Sequence, residues 1–187
     1  MSSNHLKRLA MPRSWPLPRK TSVWVTRPTP GAHSLEHCMP ITLVLRDVLN
    51  VAKTAREVRF ILHNELAMID GRVVKDTRRG VGLMDVLTLG EQNYRCVLDH
   101  KGRLQYRLIG ADEASWKVCR IEGKTTIKGG KTQLNLHDGR NIIVEDPSEF
   151  STGDSLKLNL PDQKILEHIR FGEGTRGSER SVAFERG

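Results

Sequence analysis

The stretch that decides the fold is residues 41–74, ITLVLRDVLNVAKTAREVRFILHNELAMIDGRVV. Apolar residues recur at helical spacing in its first part and predict a helix from Ile41 to about Asn50. Thr54, followed three residues later by Glu57, matches a capping box and predicts the start of a second helix. An Asp-Gly pair at residues 70–71, between two short β-prone runs, predicts a tight hairpin. The segment therefore predicts two helices followed by a hairpin.

The second predicted helix has an apolar side and a basic side. Ala55, Val58, Ile61 and Leu62 form the apolar stripe, and Asn64 is suited to a left-handed C-terminal cap. The opposite side carries three basic or titratable residues, and a lysine just precedes the helix: Arg56, Arg59, His63 and Lys53. Basic residues near a helix N-terminus are well placed to meet phosphates, although an ordinary solvated face is the alternative interpretation.

Short strands separated by turns are predicted over most of the remaining chain. Turns are expected at 99–102, 122–123, 129–130, 138–139 and 153–154. The predicted strands are Leu83–Leu89, Tyr94–Leu98, Arg103–Ile109, Trp116–Ile121, Thr125–Lys128, Gln133–Leu136, Asn141–Val144 and Leu156–Leu160. Strands this short and regularly spaced are typical of a small barrel or sandwich. The final segment, 173–187, is polar and is expected to be mobile.

The first 40 residues differ in composition from the rest. Six of the eight prolines lie there, together with six basic residues against one acidic residue, Glu36. Prolines remove backbone donors and block helix interiors, so we predict an extended arm that gains order by lying on a partner. Trp15 and Trp24 suit stacking on bases or riboses. A disordered tail is the alternative, but such tails are typically poor in aromatic residues.

Composition narrows the classes of function. The chain has 187 residues, 37% hydrophobic residues, a mean hydropathy of −0.44 and a net charge of +8. A basic protein favours polyanionic partners. The charge is uneven, because residues 91–170 hold 13 basic and 12 acidic residues. Apolar runs are too short for a membrane-spanning helix or a secretory signal, so we expect no membrane association and an intracellular location.

Cofactor and metal chemistry are not indicated. Cys38, Cys96 and Cys119 are widely spaced and predict reduced core thiols, with neither a disulfide framework nor a zinc ribbon. His33 and His37 beside Cys38 supply three ligands, but a structural zinc site usually needs a fourth. The Lys128–Lys131 stretch, KGGK, lacks the earlier glycine and following helix of a nucleotide-binding P-loop. We therefore expect no cofactor, no metal and no small-molecule substrate.

Four ordered segments resemble the small-subunit ribosomal protein family S4e of archaea and eukaryotes. They are HLKRLA at 5–10 with SWP at 14–16; 41–47 leading to ARE at 55–57; VGLMDV at 81–86; and KGGK at 128–131 with LNLHDGRN at 134–141. The resemblance runs over about residues 5–172. Its ordered set of motifs is far more specific than a lone glycine motif.

The sequence patterns and the resemblance together predict an α+β protein in four parts. These are a basic arm at 1–40, an RNA-binding module of the ribosomal-protein S4 type at 41–105, a β-rich, barrel-like domain at 106–172 and the polar tail at 173–187. Two departures from the family stand out. Phe60 and Glu65 occupy the end of the second helix, where the family usually has a basic residue and a glycine. The usual C-terminal KOW segment is not recognisable after Phe171, so we expect it to be absent, replaced or read in another frame.

Two groups of residues are expected to bind RNA. The resemblance implies contacts in the S4-type module at Lys53, Thr54, Arg56, Arg59, Gly71 and Arg72. Charge and aromatic content add the further candidates Lys7, Arg8, Arg13, Trp15, Arg19, Lys20, Trp24, Arg27, Lys75, Lys128, Lys131 and Arg140. For Arg140, a plain turn position is an equally good interpretation. No catalytic residue is expected.

Three functions are compatible with these patterns. The first is a structural constituent of the small ribosomal subunit, located in the cytoplasm, that binds ribosomal RNA and neighbouring ribosomal proteins and takes part in translation. The second is a free-standing RNA-binding translation or assembly factor. The third is an RNA-modifying enzyme, which would need a catalytic domain for which residues 106–172 leave little room. No nucleophile elbow or metalloprotease helix supports the third function.

Overall fold

The computed structural model describes residues 5–160 and 162–172. It is a mixed α+β protein with few helices and a β-rich body, which confirms the predicted fold class. Two compact units divide the chain, unit 1 at Met1–Ala114 and unit 2 at Ser115–Gly187. The boundaries predicted at 40, 105 and 172 do not correspond to these two units and stay predictions. The predicted mobile tail lies outside the described residues. Among the described helices, none is both long and apolar enough to span a bilayer.

Unit 1 combines one five-stranded antiparallel sheet with two smaller strand pairs and the helices. Its described elements are β1 His5–Lys7, a 3-10 turn Arg8–Ala10, β2 Trp24–Thr26, β3 Cys38–Pro40, α1 Ile41–Leu43, a π-helical continuation Val44–Val48, α2 Ala55–His63, β4 Ala67–Ile69, β5 Arg72–Val73, β6 Gly80–Gly82, β7 Val86–Leu89, β8 Gln92–Leu98, β9 Leu104–Ile109 and α3 Ala111–Ala114. The large sheet has the order β5-β4-β7-β8-β9, while β1 pairs with β2 and β3 with β6.

The predicted sequence of helix, helix and hairpin is present in unit 1. The hairpin turns at Asp70 and Gly71, both with positive φ (50° and 75°), which matches the turn type that an Asp-Gly pair favours. The predicted left-handed cap at Asn64 is wrong, because Asn64 has φ −80°. Glu65 takes the left-handed conformation instead, with φ 58°. The left-handed residue after α2 is therefore one position later than predicted.

The N-terminal segment is folded into unit 1, which corrects the picture of an extended arm for its described part. Met11, Trp15 and Val25 belong to the same buried core as Leu43 and Leu62. The indole nitrogen of Trp15 donates a hydrogen bond of 2.8 Å to the carbonyl of Cys38. These contacts bury apolar surface that an arm lying on a partner would leave exposed.

Unit 2 is a five-stranded antiparallel sheet. Its described strands are β10 Trp116–Thr126, β11 Thr132–Leu136, β12 Asn141–Val144, β13 Ser155–Asn159 and β14 Ile165–Ile169. They lie in the order β12-β11-β10-β13-β14. The core of the sheet consists of Cys119, Ile121, Leu134, Leu136, Leu156 and Leu158. The β-rich character of this region was predicted, whereas its barrel-like closure stays a prediction.

One long strand replaces two of the predicted short strands. The predicted turn at Glu122–Gly123 is wrong, because β10 continues through it to Thr126. The first half of β10 pairs with β13, and its second half pairs with β11. The register with β11 shifts between Ile121 and Gly123, which is a β-bulge. The bulge lets a single strand serve two partners, and the glycine that suggested a turn belongs to it.

A buried charge network lies inside unit 2. Lys117 and Asp138, each with a side chain only 1% exposed, form an ion pair of 3.0 Å, and Arg140 adds a second contact of 3.0 Å to the same carboxylate. Cys119 also donates a hydrogen bond to Asp138. Burial by itself raises the pKa of Asp138, but Lys117 and Arg140 outweigh burial and hold the pKa below its usual value. Asp138 is therefore charged at neutral pH.

Candidate nucleic-acid interface

Helix α2 begins where the capping box predicts. The Thr54 hydroxyl accepts a hydrogen bond from the backbone N–H of Glu57, and the Glu57 carboxylate accepts one of 2.7 Å from the backbone N–H of Lys53. These hydrogen bonds, the backbone N–H of Lys53 above all, lower the pKa of Glu57. Val58 and Leu62 are fully buried under the helix. The helix is thereby fixed at its first turn and along its apolar side.

The opposite side of α2 is a basic surface. Lys53, Arg56, Arg59 and His63 are all exposed. In the part of the chain that the structure describes, the side chains of Lys53, Arg56 and Arg59 form no hydrogen bond or ion pair. Arg56 and Arg59 on the helix, and Lys53 just before it, can bind phosphate oxygens without first breaking a hydrogen bond or ion pair within the protein. We call Lys53, Arg56 and Arg59 the α2 basic face.

The hairpin after α2 presents two of the predicted residues, Gly71 and Arg72, at its turn. Both are exposed, and a Cβ added at Gly71 would meet nothing within 4 Å, so the backbone there is open to close approach. The turn is fixed from behind by Asp70, whose carboxylate accepts a hydrogen bond of 2.9 Å from the N–H of Val86. Lys75 forms an exposed ion pair of 2.8 Å with Glu65. This ion pair links the turn after α2 with the segment after the hairpin.

Two predicted RNA-binding residues at the N-terminus are internal to the protein. Trp15 is 2% exposed, so its ring offers no face to a base, and its predicted stacking role is corrected to a core role. Arg8 is 9% exposed. Its guanidinium donates hydrogen bonds to the carbonyl of Pro18 at 2.6 Å and to the hydroxyl of Ser22 at 3.2 Å. Arg8 therefore organises the N-terminal loop from within.

The other N-terminal candidates remain at the surface to different degrees. Trp24 is 55% exposed and lies on β2 beside the His5 ring, 5.5 Å between ring centroids. Arg19 is half-buried and donates to the carbonyl of Leu9. Three further cations of this group are exposed: Lys7, Arg13 and Lys20. Arg27 is half-buried. Trp24 and these cations thus present aromatic and positive groups on the same N-terminal segment.

The three candidates in unit 2 have different surroundings. Lys128 and Lys131 are exposed on either side of Gly129 and Gly130, which take positive φ of 91° and 75° in the β10–β11 turn. Lys131 forms an ion pair of 3.0 Å with Glu145. The side chain of Arg140 is only 15% exposed and belongs to the buried network around Asp138. The structural interpretation of Arg140 is therefore favoured over an RNA contact.

The charge of the protein is concentrated in unit 1. Residues 1–114 contain 18 basic and 11 acidic side chains, a balance of +7, whereas residues 115–187 contain 12 basic and 11 acidic, a balance of +1. Long-range attraction of a polyanion is thus directed to the unit that carries the α2 basic face.

The residues considered as metal ligands have other partners. The Nε2 atom of His33 lies 3.0 Å from the Asp85 carboxylate, and the Nδ1 atom of His37 lies 3.0 Å from the Ser34 hydroxyl. Cys38 is buried, and burial raises the pKa of its thiol to about 11. Cys96 and Cys119 are buried free thiols as well. Between residues 5 and 172, position 161 apart, no three His, Cys, Asp or Glu side chains are grouped to hold a metal ion.

One exposed aromatic residue was not among the predicted contacts. Phe60 lies on α2 with 67% of its surface exposed. Its position could have been predicted from helical spacing. Phe60 is four residues after Arg56 and two residues from each of the buried Val58 and Leu62. That spacing places it on the basic side of the helix.

Family comparisons match two parts of the chain. A sequence model described as the ribosomal family S4e matches residues 90–165, and one described as the RS4NT domain matches residues 2–36. Both parts overlap the region where the four ordered motifs were recognised.

Individual relatives extend the likeness across most of the chain. The small ribosomal subunit protein eS4 of Methanosphaera stadtmanae is 46% identical over 94% of this chain and 73% of its own length. That of Methanocella arvoryzae is 45% identical over 94% of this chain and 74% of its own length. The crystal structure of the 30S ribosomal protein S4e from Thermoplasma acidophilum matches with a TM-score of 0.64 and 33% identity, over 72% of this chain and 70% of that chain.

Proposed function

The chain belongs to the ribosomal S4e family, whose members are structural components of the ribosome rather than enzymes, and from this we propose that it binds and stabilises folded small-subunit ribosomal RNA. In this role it is a constituent of the small ribosomal subunit in the cytoplasm. Its partners are ribosomal RNA and neighbouring ribosomal proteins, and its contribution to translation is structural.

The α2 basic face is the observation that carries this proposal. Lys53, Arg56 and Arg59 are exposed, and among the described residues their side chains form no hydrogen bond or ion pair. The capping box fixes the backbone that carries these cations, so no backbone entropy of this segment is lost on binding. Folded RNA is bound largely through its shape, phosphates and 2′-hydroxyls, which arginine forks suit well.

Other candidates extend this surface. The hairpin turn at Gly71 and Arg72 allows close approach of a sugar-phosphate backbone, and Lys75 lies just beyond it. In the N-terminal segment, the exposed Trp24 supplies a stacking ring, while Lys7, Arg13 and Lys20 supply charge. Individual contacts of this kind are modest, so the affinity rests on their sum and falls steeply with salt.

A binding experiment tests the proposal directly. The full chain is titrated against small-subunit ribosomal RNA from Methanosphaera stadtmanae, with transfer RNA as a control for general polyanion attraction, at several KCl concentrations. We expect saturable binding that prefers the ribosomal RNA, with log affinity falling linearly with log salt. Equal affinity for both RNAs at every salt concentration would contradict a specific role.

Sedimentation then separates a constituent from a free-standing factor. Small subunits are reconstituted with the chain and washed in high salt. Retention of the chain on the subunit supports the constituent, because many simultaneous contacts resist the wash. Loss from the subunit with free RNA binding preserved would assign the chain to a free-standing RNA-binding factor instead.

Removing two charges from the α2 basic face is expected to reduce both affinity and salt dependence. The double variant Arg56→Ala, Arg59→Ala should bind ribosomal RNA at least about tenfold more weakly, because charge-assisted hydrogen bonds are lost. Its slope of log affinity against log salt should fall by about two. The control Arg120→Ala, Arg170→Ala removes the same charge from exposed positions of unit 2. Equal losses in both variants would show that net charge alone drives binding.

A further inference from the structure

Phe60 is an exposed aromatic side chain beside the basic surface of α2. It is 67% exposed on α2, and the hydrophobic core of unit 1 does not include it. Single exposed apolar residues are common and need no explanation by themselves. What distinguishes Phe60 is its position relative to the α2 basic face.

Helix geometry places Phe60 next to Arg56. Successive residues of an α-helix are about 100° apart, so residues four apart differ by only about 40° and lie one above the other. Val58 and Leu62, each two residues away, lie on the opposite, buried side. Side chains on a helix lean toward its N-terminus, so the Phe60 ring leans toward the turn that carries Arg56.

Most of the Phe60 ring is open to a ligand. In residues 5–160 and 162–172, no aromatic ring or cation stacks on it. Arg56 and Arg59 are also without a hydrogen-bond or ion-pair partner in these residues. An open aromatic ring next to a cation fits a ligand that is flat and carries negative charge close to its flat part.

An unpaired nucleotide has that combination of groups. Its base stacks on an aromatic ring, and its phosphate lies within reach of an adjacent arginine. A protein partner would instead need an apolar group surrounded by carboxylates. Resting on the proposed RNA-binding function, we infer that Phe60 is a stacking platform for an unpaired base of the RNA, while Arg56 and Arg59 hold the flanking phosphates. The α2 basic face would then recognise a single-stranded position as well as backbone shape.

The test separates stacking from charge by changing the protein and the RNA together. Fluorescently labelled oligouridine of about 12 nucleotides, a length that one such site can occupy, is compared with the same oligonucleotide lacking its bases. The proteins are the unchanged full chain, Phe60→Leu and Phe60→Trp. Phe171→Leu is the matched control, because Phe171 is 63% exposed in unit 2.

We expect Phe60→Leu to bind oligouridine about five- to fiftyfold more weakly, while Phe60→Trp binds as well as or better than the unchanged chain. Neither variant should change the affinity for the base-free oligonucleotide or the salt slope, because no charge is removed. Phe171→Leu should leave all affinities unchanged. Thermal unfolding of all three variants should match the unchanged chain, since both phenylalanines are exposed.

Three results would overturn the inference. These are an unaltered affinity of Phe60→Leu for oligouridine, an equal loss of affinity for the base-free oligonucleotide, and no measurable binding of oligouridine by the unchanged chain. These three results can be told apart from a failure of the proposed function, because that function is tested separately by the ribosomal RNA titration. Retained ribosomal RNA binding, with the Arg56→Ala, Arg59→Ala effect intact, would then leave the proposed function standing without a role for Phe60.

Discussion

Replacing Trp15 by alanine is expected to destabilise unit 1 by roughly 3–5 kcal/mol, the range measured for removal of a large buried aromatic side chain. Trp15 is 2% exposed, packs in the main core and donates a hydrogen bond to the Cys38 carbonyl. Its removal leaves a cavity and an unsatisfied buried acceptor. Urea unfolding followed by circular dichroism gives the loss of stability, and hydrogen exchange assigns the loss to the amides of β8 and β9.

Trp24 provides the matched control for this experiment, because the same side chain is 55% exposed on the same segment. Trp24→Ala should cost under about 1 kcal/mol of stability. If it stacks on RNA as proposed, Trp24→Ala should weaken RNA binding about fivefold or more. Similar stabilities for the two alanine variants would mean that the N-terminal segment does not pack on unit 1.

Asp138→Ala is expected to destabilise unit 2 by roughly 3–5 kcal/mol, because it leaves the Lys117 ammonium buried without its counterion. Lys117→Met should cost clearly less. In that variant Asp138 keeps Arg140 as a partner at 3.0 Å, and methionine fills a similar volume. Asp162→Ala, at an exposed site of the same unit, is the control. A larger loss from Lys117→Met than from Asp138→Ala would contradict this assignment of charges.

The same network predicts the direction of the pH dependence. The folded-state pKa of Asp138 lies below its unfolded value of about 3.9, so the charged pair contributes its full stability above that pH. This contribution is lost as the pH falls through the folded pKa. Unit 2 should therefore unfold more readily in acid, and Asp138→Ala should flatten this dependence in thermal unfolding measured between about pH 2 and pH 5.

Local signals predicted the elements that need only neighbouring residues. The capping box at Thr54 and Glu57 and the hairpin turn at Asp70 are fixed by hydrogen bonds and backbone preferences within a few positions. The cap at the end of α2 was misplaced by one residue. Asn64 is intrinsically suited to the left-handed conformation, but Glu65 adopts it, so the surrounding chain decides this position rather than the local propensity.

Long-range partners explain most of what the sequence did not predict. Prolines and charges suggested a loose arm at residues 1–40, yet Trp15 finds its partner 23 residues away at Cys38. Gly123 suggested a turn, but β10 exchanges one pairing strand for another there. Strand β14 was not predicted, and β1, β2, β3 and β6 were too short for a periodic signal.

The sequence predicted the centre of the candidate site better than it predicted which other cations are free to bind a partner. Lys53, Arg56 and Arg59 follow directly from an amphipathic helix with one basic side, and all three are exposed. Arg8 and Arg140 show the opposite case. Their charge suggested a surface role, but each is held by protein acceptors. Charge alone does not tell whether an arginine binds a partner or organises its own unit.

The buried thiols give each unit its own reporter of opening. Cys38 lies in unit 1 and Cys119 in unit 2, and burial raises the pKa of both, so the folded protein keeps them protonated and shielded from alkylating reagents. Each thiol reacts only while its own unit is transiently open. Mass spectrometry of iodoacetamide labelling would thus measure the opening rates of unit 1 and unit 2 separately in one sample. RNA bound to unit 1 should slow alkylation of Cys38 and leave the alkylation rate of Cys119 unchanged.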